Sequence, residues 1–453
     1  MSTAREIAQR ARVASNILKT VPNSGRCTVL YKIHDALAAA RDEIKQANDK
    51  DLEAGKTSGL SPSLLKRLNL FQGDKFDTML QGIKDVALLD DPVGKVKLAR
   101  RLDDDLTLYQ VTVPVGVLLV IFESRPEVIA NITALCLKSG NAGILKGGKE
   151  SLNTFRVMAR VVNEAIEANV SETGVPVNSV QLIETRQDVN DLLAQDELID
   201  LVVPRGSNAL VRFIKDHTKI PVLGHADGIC SIYVDEYADL EKAKRITLDA
   251  KTNYPAGCNA METLLINPKL DKWWEVMTNL SSTGDVTLHC TAEVKEAYLD
   301  HLSNQADDLR GKVVDVDESK DFDGEFLSLD CAVKFVNSTK EAIEHINTHS
   351  SRHTDAIVTE NKENASAFLN GVDSAGVYWN ASTRFADGFR YGFGTEVGIS
   401  TSKIHARGPV GLDGLVSYQY QIIGDGQVAG DYLGAGGKKE FKHQDLQVTK
   451  VEL

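Results

Sequence analysis

At 453 residues the chain has room for two or three domains and a core that needs no disulfide staples. Its 51 Lys plus Arg against 64 Asp plus Glu leave a formal charge of −13, which argues against nucleic acid or an anionic membrane as partner. A local basic pocket for a small anion stays open. Cys27, Cys136, Cys230, Cys258, Cys290 and Cys331 are scattered without a CxxC pair, so a reduced, cytoplasmic setting is expected and cysteine-bound zinc is not. The first twelve residues lack the apolar stretch of a secretory signal. The longest apolar run, Val111 to Phe122, is interrupted by Pro114 and Gly116 and is too short to span a membrane.

In chain order, Ile7, Ala11, Ala14, Ile17 and Leu18 predict an amphipathic helix over 5–19, and Leu30, Ile33, Leu37, Ile44 and Ala47 a second over 29–47. Residues 60–89 continue helically after Ser61 and Pro62 supply a start signal. From 105 to 113 apolar residues alternate, as in a half-exposed strand or hairpin, and 115–122 reads as a buried strand. Ser124-Arg125-Pro126 is expected to open a helix that runs to Gly140.

Strands are then expected at 142–146, 179–183, 198–203 and 220–223, with helices at 151–169, 187–194 and 207–216. This alternation predicts a parallel, doubly wound sheet with ligands at its strand ends. A second α/β domain is expected past Gly228, with strands at 229–234, 263–266, 286–290, 331–336 and 355–359. Residues 303–325 read as a polar surface excursion. The glycine-rich region after 376, with alternation over 411–423, predicts strands that pair with something else.

No GxGxxG and no P-loop is present. Gly140 to Lys149 is instead a strand ending in a glycine-rich, doubly cationic turn ahead of a helix, a place where backbone N–H groups and lysines attract phosphate. Pro204 to Asn208 makes a similar turn, and two such turns on one sheet point to a nucleotide. Cys258 sits on the turn Tyr254-Pro255-Ala256-Gly257-Cys258-Asn259, which suits a nucleophile that substrate must approach. The alternative is a buried, inert thiol. His345, His349 and His353 are spaced four apart, but Ser350 and Ser351 end that helix, so no metal is expected. Arg384 and Arg390, on a loop of small residues, can clamp a carboxylate or a phosphate.

Several segments closely resemble the γ-glutamyl phosphate reductase family of the aldehyde dehydrogenase superfamily. They are 113–128 (Val-Pro-Val-Gly-Val to Pro-Glu-Val), 138–150 (Lys-Ser-Gly-Asn to Gly-Lys-Glu), Val202 to Ser207, Asn253 to Ala260, His345 to Ile357 and Ala381 to Gly388. The likeness spans essentially the whole chain and matches the fungal single-function form.

The resemblance implies an aldehyde dehydrogenase-like α/β fold with two doubly wound domains and a β-flap for oligomerisation. The cofactor-binding domain would be 1–103 and 114–228, the catalytic domain 229–378, and the flap and tail 104–113 and 400–453. It implies reduction of L-glutamate 5-phosphate to the 5-semialdehyde and phosphate through a Cys258 thioester, in proline biosynthesis. Other acyl-phosphate or aldehyde dehydrogenases of the superfamily, a cysteine acyl hydrolase and a nucleotide-sensing scaffold are the alternatives.

By motif, Cys258 falls on the nucleophile, Lys146 on the cofactor-ribose lysine and Glu325 on the nicotinamide-ribose glutamate. Gly147, Gly148, Arg205, Gly206 and Ser207 complete the expected cofactor contacts. Lys149 stands where oxidising relatives commonly carry glutamate, a swap that favours a 2′-phosphate and therefore NADPH over NADH. His225 falls on the register of the general-base glutamate, and Glu123 occupies the stretch of the oxyanion asparagine. Arg125, Asn253, His353, Arg384 and Arg390 are the expected substrate contacts. A homo-oligomer and a transient complex with glutamate 5-kinase are the expected partners.

Overall fold

The computed structural model describes the chain except residues 1–2, 124, 185, 303–306, 433–436 and 452–453. It divides into two compact units, one of residues 1–223, 393–398 and 410–453, the other of 224–392 and 399–409.

The first unit is built on four parallel strands, β3 (Val117–Phe122), β4 (Ala142–Lys146), β5 (Val180–Ile183) and β6 (Leu201–Arg205), in the order β5-β4-β3-β6. All six residues of β3 are buried, which is what a continuous apolar run between two helical layers requires. The first helix, Ala4–Leu18, opens on a capping box in which Thr3 and Glu6 exchange side-chain and backbone hydrogen bonds. It packs its alanine face and Leu18 against the sheet. The residues expected to form one helix at 29–47 form two, Asn23–Ala39 and Arg41–Thr57, hinged at Ala40. Those at 60–89 split into Pro62–Leu68 and Lys75–Leu88. Ser61 caps the former as expected, through the N–H of Leu64.

A second sheet in this unit is antiparallel. Here β1 (Val96–Asp103) and β2 (Leu106–Pro114) form a hairpin that turns at Asp105, whose φ of 55° aspartate tolerates better than most residues. On its other edge β2 pairs along its whole length with Val416–Ile423, so the alternating segments near 105 and 411 find each other. Tyr418, Tyr420 and Ile422 on that outer strand are 57%, 61% and 59% exposed.

The second unit holds seven parallel strands: β7 (Cys230–Val234), β8 (Met261–Ile266), β9 (Thr287–Cys290), β10 (Val313–Asp315), β11 (Asp330–Phe335), β12 (Thr354–Val358) and β13 (Gly376–Trp379). Their order is β10-β9-β11-β8-β7-β12-β13. Trp273, Met277, Tyr298 and Phe335 fill the core on one face, and Tyr233, Ile346 and Phe368 that on the other.

Three further expectations need correction. Residues 220–223 form no strand, contributing one bridge from Val222 to Val202. The helix expected from Ser124-Arg125-Pro126 begins at Val128, after a turn closed by Val128 N–H on the Arg125 carbonyl. The stretch 303–325 is not a mere excursion: beyond residues 303–306, which lie outside the described residues, it adds edge strand β10 and buries Asp321 and Phe322. The helix Lys362–Gly371 and strand β13, unread in the sequence, complete this sheet.

His345, on the helix Thr339–His349, packs edge-on against Phe322 with ring centroids 5.0 Å apart. Burial, and next the neighbouring His349, push its pKa down to about 3. A neutral buried imidazole contributes stability that is fully present above the free-histidine value of 6.5 and is lost as pH falls towards 3. Replacing His345 with Gln is expected to flatten the fall in urea midpoint across that acidic window. Equal slopes for both proteins would refute this.

Candidate active site

The loop carrying Cys258 leaves the helix Leu240–Thr252 and enters β8 at Met261. It tightens through Gly257 N–H on the Tyr254 carbonyl and Ala260 N–H on the Gly257 carbonyl. Its two ends are joined by a fully buried ion pair, Lys251 Nζ to Glu262 Oε2 at 3.1 Å, and the same oxygen accepts from Phe326 N–H at 3.0 Å. The small helical turn Thr383–Phe385 is tied to the loop twice. Thr383 Oγ1 donates to the Asn259 carbonyl at 2.7 Å, and Asn259 Nδ2 donates to the Ala386 carbonyl at 2.9 Å.

Gly228 supports the loop from below. A Cβ built on it would stand 2.1 Å from the Cys258 carbonyl oxygen and 2.4 Å from the Cys258 Cα, so only glycine fits. The N–H of Gly228 donates to Glu325 Oε1 at 2.9 Å, which places the Glu325 carboxylate one residue away from this contact. Burial raises the Glu325 pKa. The Cys230 thiol donates to the Cys258 carbonyl at 3.3 Å.

Cys258 is half-buried, whereas Cys136, Cys230, Cys290 and Cys331 are buried and burial pushes their thiols up, those of Cys136 and Cys331 to about 12. One ring nitrogen each of His225 and His353 lies with the Cys258 sulfur in a group whose atoms are all within 4.8 Å of one another. His353 is 1% exposed, and burial followed by the charge of His225 lowers its pKa to about 3, so it stays neutral. Its Nδ1 pairs with Thr354 Oγ1 at 2.9 Å, while its Nε2 is buried without a hydrogen-bond partner. The segment is pinned by Asp355, which accepts from Ser231 N–H at 2.7 Å and from the hydroxyls of Ser350 and Ser374.

These residues come from loops entering β7, β8 and β12, which lie side by side in the sheet. The cluster therefore sits at the amino ends of the strands, opposite to the carboxyl-end placement usual for doubly wound sheets.

Arg384 and Asn253 flank the same loop. Arg384 Nε donates to Asn253 Oδ1 at 3.4 Å, and its guanidinium lies over the Tyr254 ring at 5.7 Å. Burial, and then Arg390, lower its pKa, while the electrostatic influence of Cys258 opposes this. Arg390 faces Asp387 at 3.7 Å. Arg125 is exposed and belongs to the other unit. His345 and His349 are not members of the group that holds His353, and His349 Nδ1 meets Asp323 Oδ1 at 2.9 Å.

In the first unit, Lys146, Gly147 and Gly148 follow β4, and Lys149 is exposed at the start of the next helical turn. A Cβ on Gly147 would stand 1.9 Å from the Phe155 ring, so this glycine answers to packing. Arg205 Nη1 donates to the carbonyls of Glu396 and Val397 at 3.2 and 3.0 Å, fastening that segment. The N–H of Ser207 donates to Glu123 Oε2 at 3.0 Å, so the Gly206-Ser207 turn, read as an anion site, has a carboxylate of the chain itself as acceptor. Sequence reasoning gave no role to Asn259, Thr383, Asp355 and Gly228. Asn259 adjoins Cys258 and Thr383 adjoins Arg384, which was the available signal for those two, whereas Asp355 and Gly228 stand two and three positions from His353 and His225.

Residues 1–287 match the aldehyde dehydrogenase family. A gamma-glutamyl phosphate reductase of Saccharomyces cerevisiae is 74% identical, with all of both chains covered. The crystal structure of a gamma-glutamyl phosphate reductase from Thermotoga maritima is 37% identical and superposes with a TM-score of 0.87, over 94% of this chain and 100% of that one. An acetylating aldehyde dehydrogenase from Geobacillus thermoglucosidasius, 17% identical, shares the fold with a TM-score of 0.62 over 94% of this chain and 97% of its own.

Replacing Gly228 with Ala should overpack the backbone of Cys258 at a cost of about 1–3 kcal/mol. Chemical denaturation measures this, and alkylation of Cys258, with Cys27 as internal reference, reports the displaced thiol. An alanine variant with unaltered stability and alkylation rate would contradict the close contact.

Proposed function

The chain belongs to the aldehyde dehydrogenase family and, within it, to the γ-glutamyl phosphate reductases, and from that premise we propose that it reduces the γ-acyl phosphate of L-glutamate to L-glutamate 5-semialdehyde and phosphate, using NADPH, in proline biosynthesis. The observation that carries this reading is a half-buried thiol, on a loop held at both ends by the Lys251–Glu262 pair and grouped with two imidazoles, in a chain so close to such reductases.

Cys258 is the nucleophile. His225, within 4.8 Å of the sulfur, takes the thiol proton, and the thiolate attacks the acyl carbon. The carbon–oxygen bond to phosphate breaks, phosphate departs with the electron pair, and a thioester remains on Cys258. When bound, NADPH supplies the hydride that reduces this thioester. The resulting thiohemiacetal oxyanion collapses to the aldehyde and returns the thiolate. Arg384 and Asn253 beside the loop hold the anionic part of the substrate, with Arg390 next along the chain, and buried, neutral His353 borders the reacting carbon. Arg125 remains a further candidate for a substrate carboxylate on charge alone.

For the cofactor, the strand order β5-β4-β3-β6 supports the first unit. The chain reverses its direction of winding between β3 and β6, and dinucleotides bind at such a switch point, beyond the carboxyl ends of the strands. Lys146 and Lys149 follow β4 next to that point, and their ammonium groups suit ribose hydroxyls and a 2′-phosphate. Gly147, Gly148 and Gly206 keep the turns small, Arg205 and Ser207 border the crevice, and Glu325 is assigned to the nicotinamide ribose.

A homo-oligomer is supported by the exposed, alternating Tyr418, Tyr420 and Ile422 on an outer strand. The lability of acyl phosphates supports a transient complex with glutamate 5-kinase. Scattered free thiols suit a cytoplasmic setting. Among the described residues no helix is long and apolar enough to cross a membrane.

Replacing Cys258 with Ala should abolish NADP⁺ reduction in the reverse direction, from semialdehyde and phosphate, while NADPH affinity stays nearly unchanged. Retained turnover would overturn the covalent route. Replacing Lys149 with Glu should shift the kcat/KM ratio towards NADH by about tenfold or more, the scale of one charged hydrogen bond. An unmoved ratio would remove Lys149 from the 2′-phosphate.

A further inference from the structure

The histidine spacing in the sequence directs attention to His345 and His349, yet the folded chain groups His353 with His225 and Cys258 instead. We propose that these three side chains form a binding site for a divalent transition-metal ion, best suited to Zn²⁺, and that the bound ion reversibly silences the enzyme by occupying its thiol.

Three observations carry this. The ligand types are two imidazoles and a thiolate, the set that zinc prefers, and all three candidate atoms lie within 4.8 Å of one another. In a tetrahedral zinc site, with Zn–S at about 2.3 Å and Zn–N at about 2.0 Å, ligand atoms stand roughly 3.3–3.6 Å apart. The closure needed is about an ångström, within reach of the half-buried Cys258 side chain.

Second, each imidazole is oriented through Nδ1. His225 Nδ1 meets the Ile399 carbonyl oxygen at 3.1 Å and His353 Nδ1 meets Thr354 Oγ1 at 2.9 Å. Such contacts fix the plane of each ring, as the outer hydrogen bonds of metal-ligating histidines do. Third, His353 Nε2 is the kind of atom that a fold rarely leaves alone: it is buried, in a residue 1% exposed, and has no hydrogen-bond partner.

On binding, the Cys258 thiol releases its proton to solvent and its sulfur donates a lone pair to the ion. Three protein ligands leave the fourth position to water or an anion, as in open zinc sites. The Arg384 guanidinium, electrostatically coupled to Cys258, favours an anion there. With its lone pair engaged, the sulfur can no longer attack an acyl carbon. The metal site stands on the geometry of the second unit alone, and only the inhibition rests on Cys258 being the nucleophile.

The test titrates Co²⁺ into the full-length protein, kept reduced with a non-chelating phosphine. One equivalent per chain is expected to give a thiolate-to-cobalt charge-transfer band with intense four-coordinate d–d bands, both erased by one equivalent of Zn²⁺. In the wild-type protein Zn²⁺ should also shield Cys258, but not Cys27, from alkylation, which requires no variant to fold. The Cys258→Ser change should remove the charge-transfer band, and His353→Gln or His225→Gln should each weaken Zn²⁺ affinity by at least about tenfold.

Absence of the charge-transfer band, or Zn²⁺ affinity indifferent to all three substitutions, would overturn the site even if reductase activity is intact. Binding that shields Cys258 yet leaves turnover untouched would leave the site standing, overturn the silencing, and count against Cys258 as nucleophile.

Discussion

The loop that presents Cys258 depends on one buried ion pair, Lys251 with Glu262, which joins the last turn of a helix to the start of strand β8 across the intervening residues. Both side chains are fully shielded from water. Such a pair adds little net stability, because desolvation offsets most of the attraction, but neither partner can leave without stranding the other charge. The effect is to fix where the loop starts and stops. Glu262 also receives the N–H of Phe326, next to Glu325, so the constraint reaches a second segment of the same unit. Burial pushes the Glu262 carboxyl upward and Lys251 opposes it. We regard the ionised pair as the state that explains the geometry.

Around that fixed loop the site assembles from segments distant in sequence but adjacent in the sheet. β8, β7 and β12 are neighbours, so the residues preceding each strand converge without any long connection. Gly228, ahead of β7, has no side chain and so lets the Cys258 backbone approach. Asp355, at the start of β12, gathers Ser231, Ser350 and Ser374 and thereby holds His353 in place. Among these positions the rigid elements determine direction and the loops carry chemistry, as expected where a scaffold positions reactive groups.

Much of this was legible in the residues. The parallel strands read out because their apolar runs are short and bounded by helical stretches, and Cys258 read out because Pro255 and Gly257 enforce a turn. What stayed hidden has physical causes. Strand β1 alternates charged and apolar residues too loosely to stand out, since its partner β2 supplies most of the burial. The helix Lys362–Gly371 carries Asn364, Ser366 and Asn370 and ends on Gly371, and its start is held by the Asn361 cap. The grouping of His225 with His353 depends on sheet order, to which sequence spacing is blind. The hydrogen bond from Ser207 N–H to a carboxylate 84 positions earlier likewise joins residues that no spacing in the sequence links.

The amino-end placement of the thiol carries a consequence for its charge. In a parallel sheet with crossover helices, this is the side where helices finish: one ends at Thr252 just before the Cys258 loop, another at His349 just before His353. Their unsatisfied carbonyls gather partial negative charge, the pole that repels anions and welcomes cations. A thiolate here thus forgoes the macrodipole assistance that many reactive cysteines enjoy at a helix start. Its negative charge must be balanced by discrete cations, the guanidinium of Arg384 foremost, which makes nucleophilicity at this sulfur a matter of which positive group is present at the moment.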